Sequence, residues 1–334
     1  MSLQFPAEWA PHRAMWVGFP SHGDLWLEDL APAREEVAAL ARALAGPGGE
    51  RVRLLVASDE AAEAARVLTN GEPGVEIVRG AFGDVWLRDT GPLFLKQDQA
   101  TIAAGFRFNG WGGKYVFPDD DTVAEQLAAA AGAPLIANNF VLEGGAVDSD
   151  GFGAILATRQ CVLNANRNPG WDEAKAEMAL GLALGLKTVL WLGDGLMNDH
   201  TDGHVDNLAR FVAPGVVACP IAFGHDDPNA DVYDAAARTL SGYKDARGVS
   251  LQVMRIPSPG LYRNDEGEIT PASHMNFIIA NGAVIAPVYE DHASGFALDA
   301  LREAFPEREV IGLSSRALLT GGGSFHCISQ QEPE

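Results

Sequence analysis

Near its carboxyl end the chain reads Leu319-Thr320-Gly321-Gly322-Gly323-Ser324-Phe325-His326-Cys327. Three consecutive glycines allow the backbone to turn without a Cβ clash and let a ligand come close to the main chain. We therefore predict that the thiol of Cys327 is presented at the mouth of a cavity. The other cysteines, Cys161 and Cys219, lie within apolar strand-like runs and are predicted to be buried as small hydrophobic residues.

Upstream of Cys327, four more polar residues interrupt apolar strand-like segments: Asp89, Glu143, His204 and Asn276. The five positions follow one another at intervals of 54, 61, 72 and 51 residues. Recurrence at a roughly constant spacing is typical of one structural unit that is used several times. The spacing has two interpretations. Either it marks five ββαβ-like modules around an axis, each contributing one polar residue to a shared central site in an α/β fold, or it only reflects the choice of these five residues for their chemistry.

The composition limits the class of protein and of partner. The 334 residues include 24 Lys and Arg against 45 Asp and Glu, a formal charge of −21. No low-complexity block or linker divides them, so we predict a single domain over residues 1–334. The charge argues against nucleic acid and anionic membrane partners, because phosphate groups are bound by clustered Lys and Arg. It is compatible with a small cationic substrate, and also with a role in solubility alone.

The cysteine pattern and the hydrophobic pattern indicate the compartment. The three cysteines, at wide spacing, form neither a disulfide framework nor a Cys-x-x-Cys motif. The segment Met1–Pro6 has no basic stretch followed by an apolar one, and no apolar run is long enough to cross a membrane. These features predict a cytoplasmic protein without a secretory signal or a membrane partner.

Helical patterns alternate with short β-branched runs along the chain. Predicted helices begin near Pro32, cover Glu60–Leu68, are capped by Asp121 and end at Ala131, and cover Trp171–Leu184, Asp231–Leu240 and Ala297–Ala304. Predicted strands are Val52–Val56, Val75–Val78, Ile102–Phe108, Ala154–Thr158, Thr188–Leu190, Leu208–Phe211, Val216–Cys219, Gln252–Ile256, Asn276–Ile279 and Val284–Pro287.

The segment 83–92 places Asp84, Trp86, Arg88 and Asp89 beside a Gly-Pro turn. An acid next to an indole suits a cationic ligand, through charge and through cation–π attraction. The structural alternative is that Asp89 is a turn residue bonded to its own backbone or paired with Arg88.

Two further motifs each have several interpretations. Glu143 follows an apolar run and precedes two glycines, so it is either a buried carboxylate paired with an imidazolium or an ordinary strand end. Further along, His200, Asp202, His204 and Asp206 alternate at a period of two, which on an extended strand puts them on one face. This run is a divalent metal site, a general acid/base with a substrate anchor, or a solvated loop.

Taken together, the chain resembles the agmatine deiminase family, within the guanidine-modifying penteins. The resemblance is carried by eight segments, residues 5–12, 86–92, 108–113, 142–145, 164–170, 198–207, 276–282 and 321–327. It is nearly full length, and the ordered set of motifs is highly specific. It implies a five-module ββαβ propeller (a pentein) with the active site at its centre, no cofactor and a possible homodimer.

The resemblance also implies roles for the polar residues. Cys327 is expected to be the nucleophile, His204 the proton donor and later the base, and Glu143 the residue that orients His204 and favours its charged form. Asp89 and Asp206 are expected to grip the guanidinium nitrogens with charge-assisted hydrogen bonds.

Further residues are expected to bind the substrate. Asn276 matches a position near the thiol in related peptidylarginine deiminases. Agmatine ends in an amine where arginine has a carboxylate, so the pocket for its tail is expected to be acidic or aromatic. The candidates, chosen by proximity to the motifs, are Trp86, Trp111, Asp84 and Asp202.

The resulting hypothesis is an agmatine deiminase that forms N-carbamoylputrescine and ammonia through a covalent intermediate on Cys327. One alternative is an arginine or peptidyl-arginine deiminase, which would be favoured if Arg88 or Arg167 faces the cavity. The others are a metal-dependent hydrolase that uses the residues at 200–206, and a non-catalytic polyamine-binding protein of the same fold.

Overall fold

The computed structural model describes residues 3–264, 266–289 and 292–334. Within them, the strands form five small sheets that share one plan. In each sheet two antiparallel strands are followed by a helix, which returns the chain to a third strand parallel to the second. A helix is the usual connection between adjacent parallel strands, because the crossover needs a dozen residues or more.

Four of these units, the first to fourth modules, follow one another along the chain. The first module consists of strands Leu93–Gln97 and Ala100–Arg107, helix Val123–Ala131 and strand Leu135–Val141, with strand Leu3–Gln4 added at its edge. The second consists of strands Asp148–Ser149 and Ala154–Thr158, helix Glu173–Leu184 and strand Thr188–Leu192. The third consists of strands Arg210–Ala213 and Val216–Ile221, helix Ala230–Ser241 and strand Gln252–Pro257, and the fourth of strands Ile278–Ile279 and Ala283–Val288, helix Ser294–Ala304 and strand Glu309–Ser314.

The fifth module joins the two ends of the chain. Strand Ser329–Pro333 pairs antiparallel with strand His12–Gly18, and Ser329 lies opposite Val17. Helix Leu30–Ala45 then leads to strand Val52–Val56, which is parallel to the strand at residues 12–18. A second crossover adds helix Asp59–Leu68 and strand Val75–Arg79. The ring of modules is therefore closed by hydrogen bonds between distant parts of the sequence.

Short helical turns connect these elements. They are Gly23–Trp26, Leu27–Asp29, Leu87–Thr90, Gly110–Gly113, Asp120–Thr122, Gly144–Ala146, Arg159–Val162, Val205–Asn207 and Arg316–Thr320. Within the described residues, no helix combines the length and the hydrophobicity needed to span a bilayer.

Local sequence explains several helix ends. Ser58 and Asp172 accept hydrogen bonds from the backbone N–H three residues later, as N-cap side chains do. Gly132 and Gly185 end their helices with φ of 68° and 72°, a left-handed conformation that glycine adopts without a Cβ penalty. These caps set the points at which each crossover turns back toward the next strand.

The predicted five-module α/β architecture is confirmed, as are most of the predicted elements. Strands Val52–Val56 and Ala154–Thr158 have the predicted bounds. Longer strands that the pattern did not predict are His12–Gly18, Leu93–Gln97, Leu135–Val141, Glu309–Ser314 and Ser329–Pro333. The single domain over residues 1–334 stays a prediction; Met1 and Ser2, which belong to the segment used to predict the absence of a secretory signal, lie outside the described residues.

Two local predictions are wrong. Asp121 does not cap the alanine-rich helix, because it lies inside the 3₁₀ turn Asp120–Thr122 and Thr122 occupies the N-cap. The run from residue 200 to residue 206 is not an extended strand either. It forms turns, with Asp202 at φ 63° and Gly203 at φ 85°, and enters a 3₁₀ turn at Val205. The alternation at period two therefore does not place its side chains on one face.

The fold brings the five spaced polar residues to equivalent positions. Asp89, Glu143, Asn276 and Cys327 each lie a few residues before the first strand of their module, as does the pair His204 and Asp206. Because the first strands of all five modules surround one axis, the segments just before them meet at one end of it. The predicted sharing of a central site follows from this placement.

Candidate active site

The thiol of Cys327 is held by an amide from the fourth module. Nδ2 of Asn276 donates to Sγ at 3.2 Å, and Oδ1 of Asn276 accepts from the backbone N–H groups of His326 at 2.9 Å and Cys327 at 3.3 Å. Asn276 is itself buried and fixed by a hydrogen bond to Asn207 at 2.9 Å. One amide therefore fixes both the sulfur and the backbone that carries it.

The glycines before Cys327 are required by close packing against two indoles. A Cβ on Gly323 would come within 2.5 Å of Cζ3 of Trp86, and one on Gly321 within 2.8 Å of Cη2 of Trp26. Gly322 has a φ of 104°, which L side chains rarely adopt. The backbone here forms one wall of the cavity, as the triple glycine predicts.

Two buried carboxylates lie close to the sulfur. Asp206 Oδ2 is 3.8 Å from Sγ of Cys327, and among the described residues no donor is within hydrogen-bond distance of its Oδ1. Asp89 accepts hydrogen bonds from Nε1 of Trp111 at 2.9 Å and from the backbone N–H of Gly145 at 3.0 Å. Both carboxylates are thus oriented by the protein while retaining capacity for a ligand.

His204 lies between two acids. Its Nδ1 is 3.7 Å from Asp89 Oδ1, and its Nε2 is 3.6 Å from Glu143 Oε2. A Cβ on Gly145 would come within 2.5 Å of His204 Nδ1, 3.0 Å of Asp89 Oδ1 and 3.1 Å of Asp206 Oδ2. These three atoms therefore surround one point, and only glycine leaves room for them there.

Glu143 is fixed from behind by Arg167. Its Oε1 accepts from Nε of Arg167 at 2.7 Å, with both side chains buried. Arg167 also binds Asp202 at 2.5 Å and the carbonyl of Thr201 at 2.9 Å. The pKa of Glu143 is lowered overall: burial raises it, but His204 and Arg167 outweigh burial. Glu143 therefore stays ionised beside His204.

The electrostatics differ between the imidazole and the thiol. Burial alone lowers the pKa of His204, but the charge of Asp89, with Cys161 and Glu143, raises it well above the usual value. Burial raises the pKa of the Cys327 thiol, and Asp206 and Asp89 raise it further. These directions favour an imidazolium at His204 and a neutral thiol at Cys327, side by side among carboxylates.

A cavity of about 320 Å³ opens above Cys327 and Asp89. It is lined by Leu25, Trp26, Leu27, Glu28, Asp29, Asp84, Trp86, Asp89, Trp111, Tyr115, Phe117, His200, Thr201, Thr320, Gly321, Gly322, Gly323 and Cys327. None of these lining residues is Lys or Arg, and four are acidic. His204, Glu143 and Asp206 lie deeper, behind the residues that line the cavity.

Of the four residues predicted to bind the tail of the substrate, three line the cavity. Asp84 accepts from Nε1 of Trp86 at 2.6 Å and from Nε1 of Trp26 at 3.1 Å, so both of its oxygens orient the indoles of the wall. The indole N–H of Trp111 donates to Asp89. The fourth candidate, Asp202, does not line the cavity, since it pairs with Lys114 at 2.6 Å and with Arg167.

The residues of the predicted metal site are not gathered around one point. His200 Nδ1 contacts the hydroxyl of Tyr115 at 3.2 Å, and Asp202 is paired with two cations. Among the described residues, the ligand atoms that do lie within 4.8 Å of one another belong to Glu143, Cys161 and His204. The turns at residues 200–206 do not hold the four side chains on one face, so the interpretation of this run as a metal site is wrong.

Several residues of the site were not found from the sequence. Trp26, Glu28 and Asp29 reach the cavity from a short helical stretch without a motif of its own, and Tyr115 and Phe117 follow the turn at Trp111. Their signal was weak, because acidic and aromatic residues on an exposed turn usually have no specific role. Only the closed ring places them opposite Cys327.

Comparison with known protein families agrees with this geometry. The family model described as Porphyromonas-type peptidyl-arginine deiminase matches residues 4–333. The chain belongs to this family. It is 37% identical to the agmatine deiminase of Stutzerimonas stutzeri (strain A1501), over 98% of this chain and 95% of that protein.

Solved structures show the same relationship. The agmatine deiminase of Enterococcus faecalis has a TM-score of 0.92 and 31% identity, covering 100% of this chain and 96% of that one. A C. jejuni agmatine deiminase with a Cys-to-Ser substitution and substrate bound has a TM-score of 0.87 and 25% identity, covering 99% and 96%. The predicted resemblance to this deiminase family, and its propeller fold, are thereby confirmed.

Proposed function

We propose that this protein is an agmatine deiminase, which hydrolyses agmatine to N-carbamoylputrescine and ammonia. The observation that carries the proposal is the base of the cavity. There the Cys327 thiol lies 3.8 Å from one buried carboxylate, while an imidazole lies between two others. A nucleophile, a proton donor and anions for a cationic substrate are the groups needed for attack on a guanidinium carbon.

Substrate binding prepares the nucleophile. Asp89 and Asp206 accept hydrogen bonds from the guanidinium nitrogens, and the free Oδ1 of Asp206 is available for this contact. Burial, and after it the charges of these two acids, raises the pKa of Cys327 and favours the neutral thiol. A bound cation offsets their charge and lowers the pKa of the thiol, so the thiolate forms where its substrate is present.

The first half of the reaction breaks a C–N bond. The thiolate of Cys327 adds to the guanidinium carbon and gives a tetrahedral adduct. The imidazolium of His204, kept charged by Asp89 and Glu143, donates a proton to one nitrogen, which leaves as ammonia. A covalent thiouronium on Cys327 remains.

The second half returns the enzyme to its starting state. His204, now neutral, accepts a proton from water, and the oxygen bonds to the thiouronium carbon. Collapse of this adduct breaks the C–S bond and releases the ureido product, and the hydroxyl proton of the adduct passes to the departing sulfur, which becomes a neutral thiol again. One imidazole thus acts first as acid and then as base.

The tail pocket favours an amine over a carboxylate. Glu28 and Asp29 line the cavity, with Trp26, Trp86 and Trp111 as aromatic surfaces for the methylene chain. We assign the ammonium to Glu28 and Asp29, because both oxygens of Asp84 already bind indole N–H groups. An acidic pocket repels the carboxylate of free arginine.

The arginine alternatives have less support in this geometry. Arg88 donates to the side chains of Gln331 and Ser329 and to the carbonyl of His326, away from the cavity. Arg167 is held by Glu143 and Asp202. Neither guanidinium is among the residues lining the cavity, so neither is placed to bind the carboxylate of arginine.

The experiment that tests the proposal is a panel of guanidines, with ammonia release as the readout. We expect kcat/KM for agmatine to exceed that for arginine and for a peptidyl arginine, without a requirement for added metal. Cys327→Ala is expected to abolish turnover, and Cys219→Ala, which removes a buried thiol on strand Val216–Ile221, to leave it intact. A higher kcat/KM for arginine than for agmatine would mean that arginine, not agmatine, is the substrate. Full activity of Cys327→Ala would refute the mechanism.

Three further properties complete the proposal. We expect no cofactor, a cytoplasmic location and a homodimer; all three stay predictions. Light scattering on the purified protein tests the dimer.

A further inference from the structure

The side chain of His326 points away from the cavity, although it is adjacent to Cys327 in the chain. Its Nδ1 lies 2.8 Å from Asp206 Oδ2, and its Nε2 lies 3.0 Å from Glu8 Oε2. The residue is 2% exposed. A buried imidazole therefore bridges a carboxylate of the active site and a second carboxylate behind it.

The bridge depends on how many N–H groups the ring carries. A neutral imidazole has one N–H, so it can donate to only one of two carboxylates, and its other nitrogen would face an anion. The pKa of each acid is lowered overall: burial raises it, but Arg210 and His326 outweigh burial for Glu8, and His326 outweighs it for Asp206. Only the imidazolium donates to both carboxylates at once.

The charges around the bridge are matched in pairs. Arg210 binds both Glu8 and Asp148, and Glu8 Oε1 also accepts from the backbone N–H of Ile279 at 2.7 Å. Nε of Arg88 donates to the carbonyl of His326 at 3.3 Å. Along the row Asp148, Arg210, Glu8, His326 and Asp206, carboxylates thus alternate with basic groups, which is the condition under which buried charges are tolerated.

We infer that His326 is a positioning residue that, fixed as an imidazolium by Glu8, keeps Asp206 ionised and its Oδ1 free for the guanidinium. This inference rests on the proposed function. His326 occupies Oδ2 of Asp206, so the unpartnered Oδ1 is the oxygen left for a ligand. The role also accounts for Glu8, which lies in the amino-terminal segment 5–12 and otherwise has no part in the chemistry.

Two substitutions separate this role from simple packing. The amide nitrogen of Asn can replace Nδ1 and that of Gln can replace Nε2, so His326→Asn keeps a donor for Asp206 while His326→Gln loses it. Both remove the charge. Each is made in a Cys327→Ala background, in which the dissociation constant for agmatine is measured by calorimetry without turnover.

We expect His326→Gln to weaken agmatine binding by roughly 10- to 100-fold, the range for a lost hydrogen bond to a charged group. His326→Asn is expected to weaken it less. An equal loss in the two variants, or a dissociation constant for His326→Gln within twofold of the background, overturns the inference.

His12→Gln is the matched control. His12 Nδ1 lies 2.9 Å from the buried Glu50, so the substitution also removes an Nδ1 donor from a buried carboxylate. However, His12 lies at the end of its strand that is away from the site. The opposite end of that strand, at Val17, pairs with Ser329 beside the site. His12→Gln is expected to lower the thermal midpoint and leave agmatine binding unchanged; weaker binding in this control would show that the assay reports general destabilisation and would overturn the inference.

A second measurement uses the wild-type protein, so it does not depend on whether the variants fold. Neutron diffraction from crystals of the wild-type protein shows whether His326 carries a deuteron on both ring nitrogens. Two deuterons support the inference and one refutes it. Ammonia release by the wild-type enzyme is recorded in parallel, so that failure of the deiminase proposal is distinguished from failure of the role of His326.

Discussion

The sulfur of Cys327 lies 3.8 Å from Oδ2 of Asp206, so the nucleophile that we propose faces an anion. Burial raises the pKa of this thiol, and the charges of Asp206 and Asp89 raise it further. Most reactive thiols are instead activated by a permanent positive potential. In the mechanism that we propose, the activating charge belongs to the substrate.

The first prediction concerns alkylation of the free enzyme. Because the pKa of Cys327 is raised, the thiolate fraction at neutral pH is low, and the rate of modification by iodoacetamide should keep rising through the alkaline range in which an ordinary cysteine is already ionised. Asp206→Asn removes one of the charges and should shift the midpoint down by about one pH unit or more. Mass spectrometry locates the modified residue; a rate that levels off near neutral pH contradicts the prediction.

The second prediction concerns the charge of His204. Asp89 and Glu143 hold its pKa up, so the imidazolium persists as pH rises and is lost only above that raised pKa. Glu143→Gln removes one of these charges, lowers the pKa of His204 and should move the alkaline limb of the pH profile to lower pH. We expect kcat to fall by roughly 10²- to 10⁴-fold, the usual contribution of general acid–base catalysis.

Glu177→Gln is the control for this measurement, because Glu177 accepts a hydrogen bond from Trp191 on the second module and does not line the cavity. Its pH profile should match that of the wild type. An unshifted alkaline limb in Glu143→Gln would mean that Glu143 does not set the charge of His204.

The third prediction concerns the lack of room for a side chain at Gly145. A methyl group on Gly145 would lie 2.5 Å from His204 Nδ1 and 3.0 Å from Asp89 Oδ1, so Gly145→Ala must displace groups to which we assign the chemistry. We expect a loss of at least about 10²-fold in kcat/KM, since small displacements have large effects on catalysis. The free energy of unfolding should fall by about 1–3 kcal/mol, as in other overpacked sites.

Gly295→Ala provides the comparison. Within the part of the chain that the structure describes, and apart from its chain neighbours and the backbone of its own helix, no heavy atom lies within 4 Å of the position of its added Cβ. Gly295 belongs to helix Ser294–Ala304. It should stabilise the protein by roughly 0.5–1 kcal/mol without changing kcat/KM. Wild-type kinetics in Gly145→Ala would show that the three polar atoms have more freedom than their packing indicates.

The fourth prediction concerns the tail of agmatine. Asp29→Asn removes a charge from the partly exposed wall of the cavity and should raise KM about two- to fivefold, within the range for exposed ion pairs, with kcat unchanged. The effect should shrink at high salt. Asp24→Asn, an exposed residue outside the cavity lining, serves as the control; equal KM changes in the two variants would exclude a specific contact.

The sequence allowed prediction of those features that depend on local pattern. The β-branched run Val52–Val56 and the capped helix Asp59–Leu68 were found because their signals lie within a few residues. Strand Ser329–Pro333 was missed because its residues, Ser-Gln-Gln-Glu-Pro, have low strand propensity, and its pairing with His12–Gly18 is a tertiary effect. Recurrence of single polar residues revealed the five modules even so.

The site residues, like the elements of the fold, include some that the sequence predicted and some that it did not. Cys327, Asp89 and His204 were recognisable because each combines an unusual residue type with an ordered motif. Glu143 was assigned to His204 as well. The groups behind these residues were not assigned, because they come from distant segments: Glu8, which contacts His326, from the amino-terminal loop, and Arg167, which contacts Glu143, from the second module. A charge that balances a buried acid leaves no local signature in the sequence.

The pairing of strand Ser329–Pro333 with strand His12–Gly18 has a consequence for biogenesis. Cys327 lies two residues before that strand, and its carbonyl accepts from the backbone N–H of Arg88 at 3.0 Å. The step that seals the propeller is therefore also the step that delivers the sulfur to its acids. A chain in which this strand is not yet paired has no assembled centre, so the site forms only when the circle is complete.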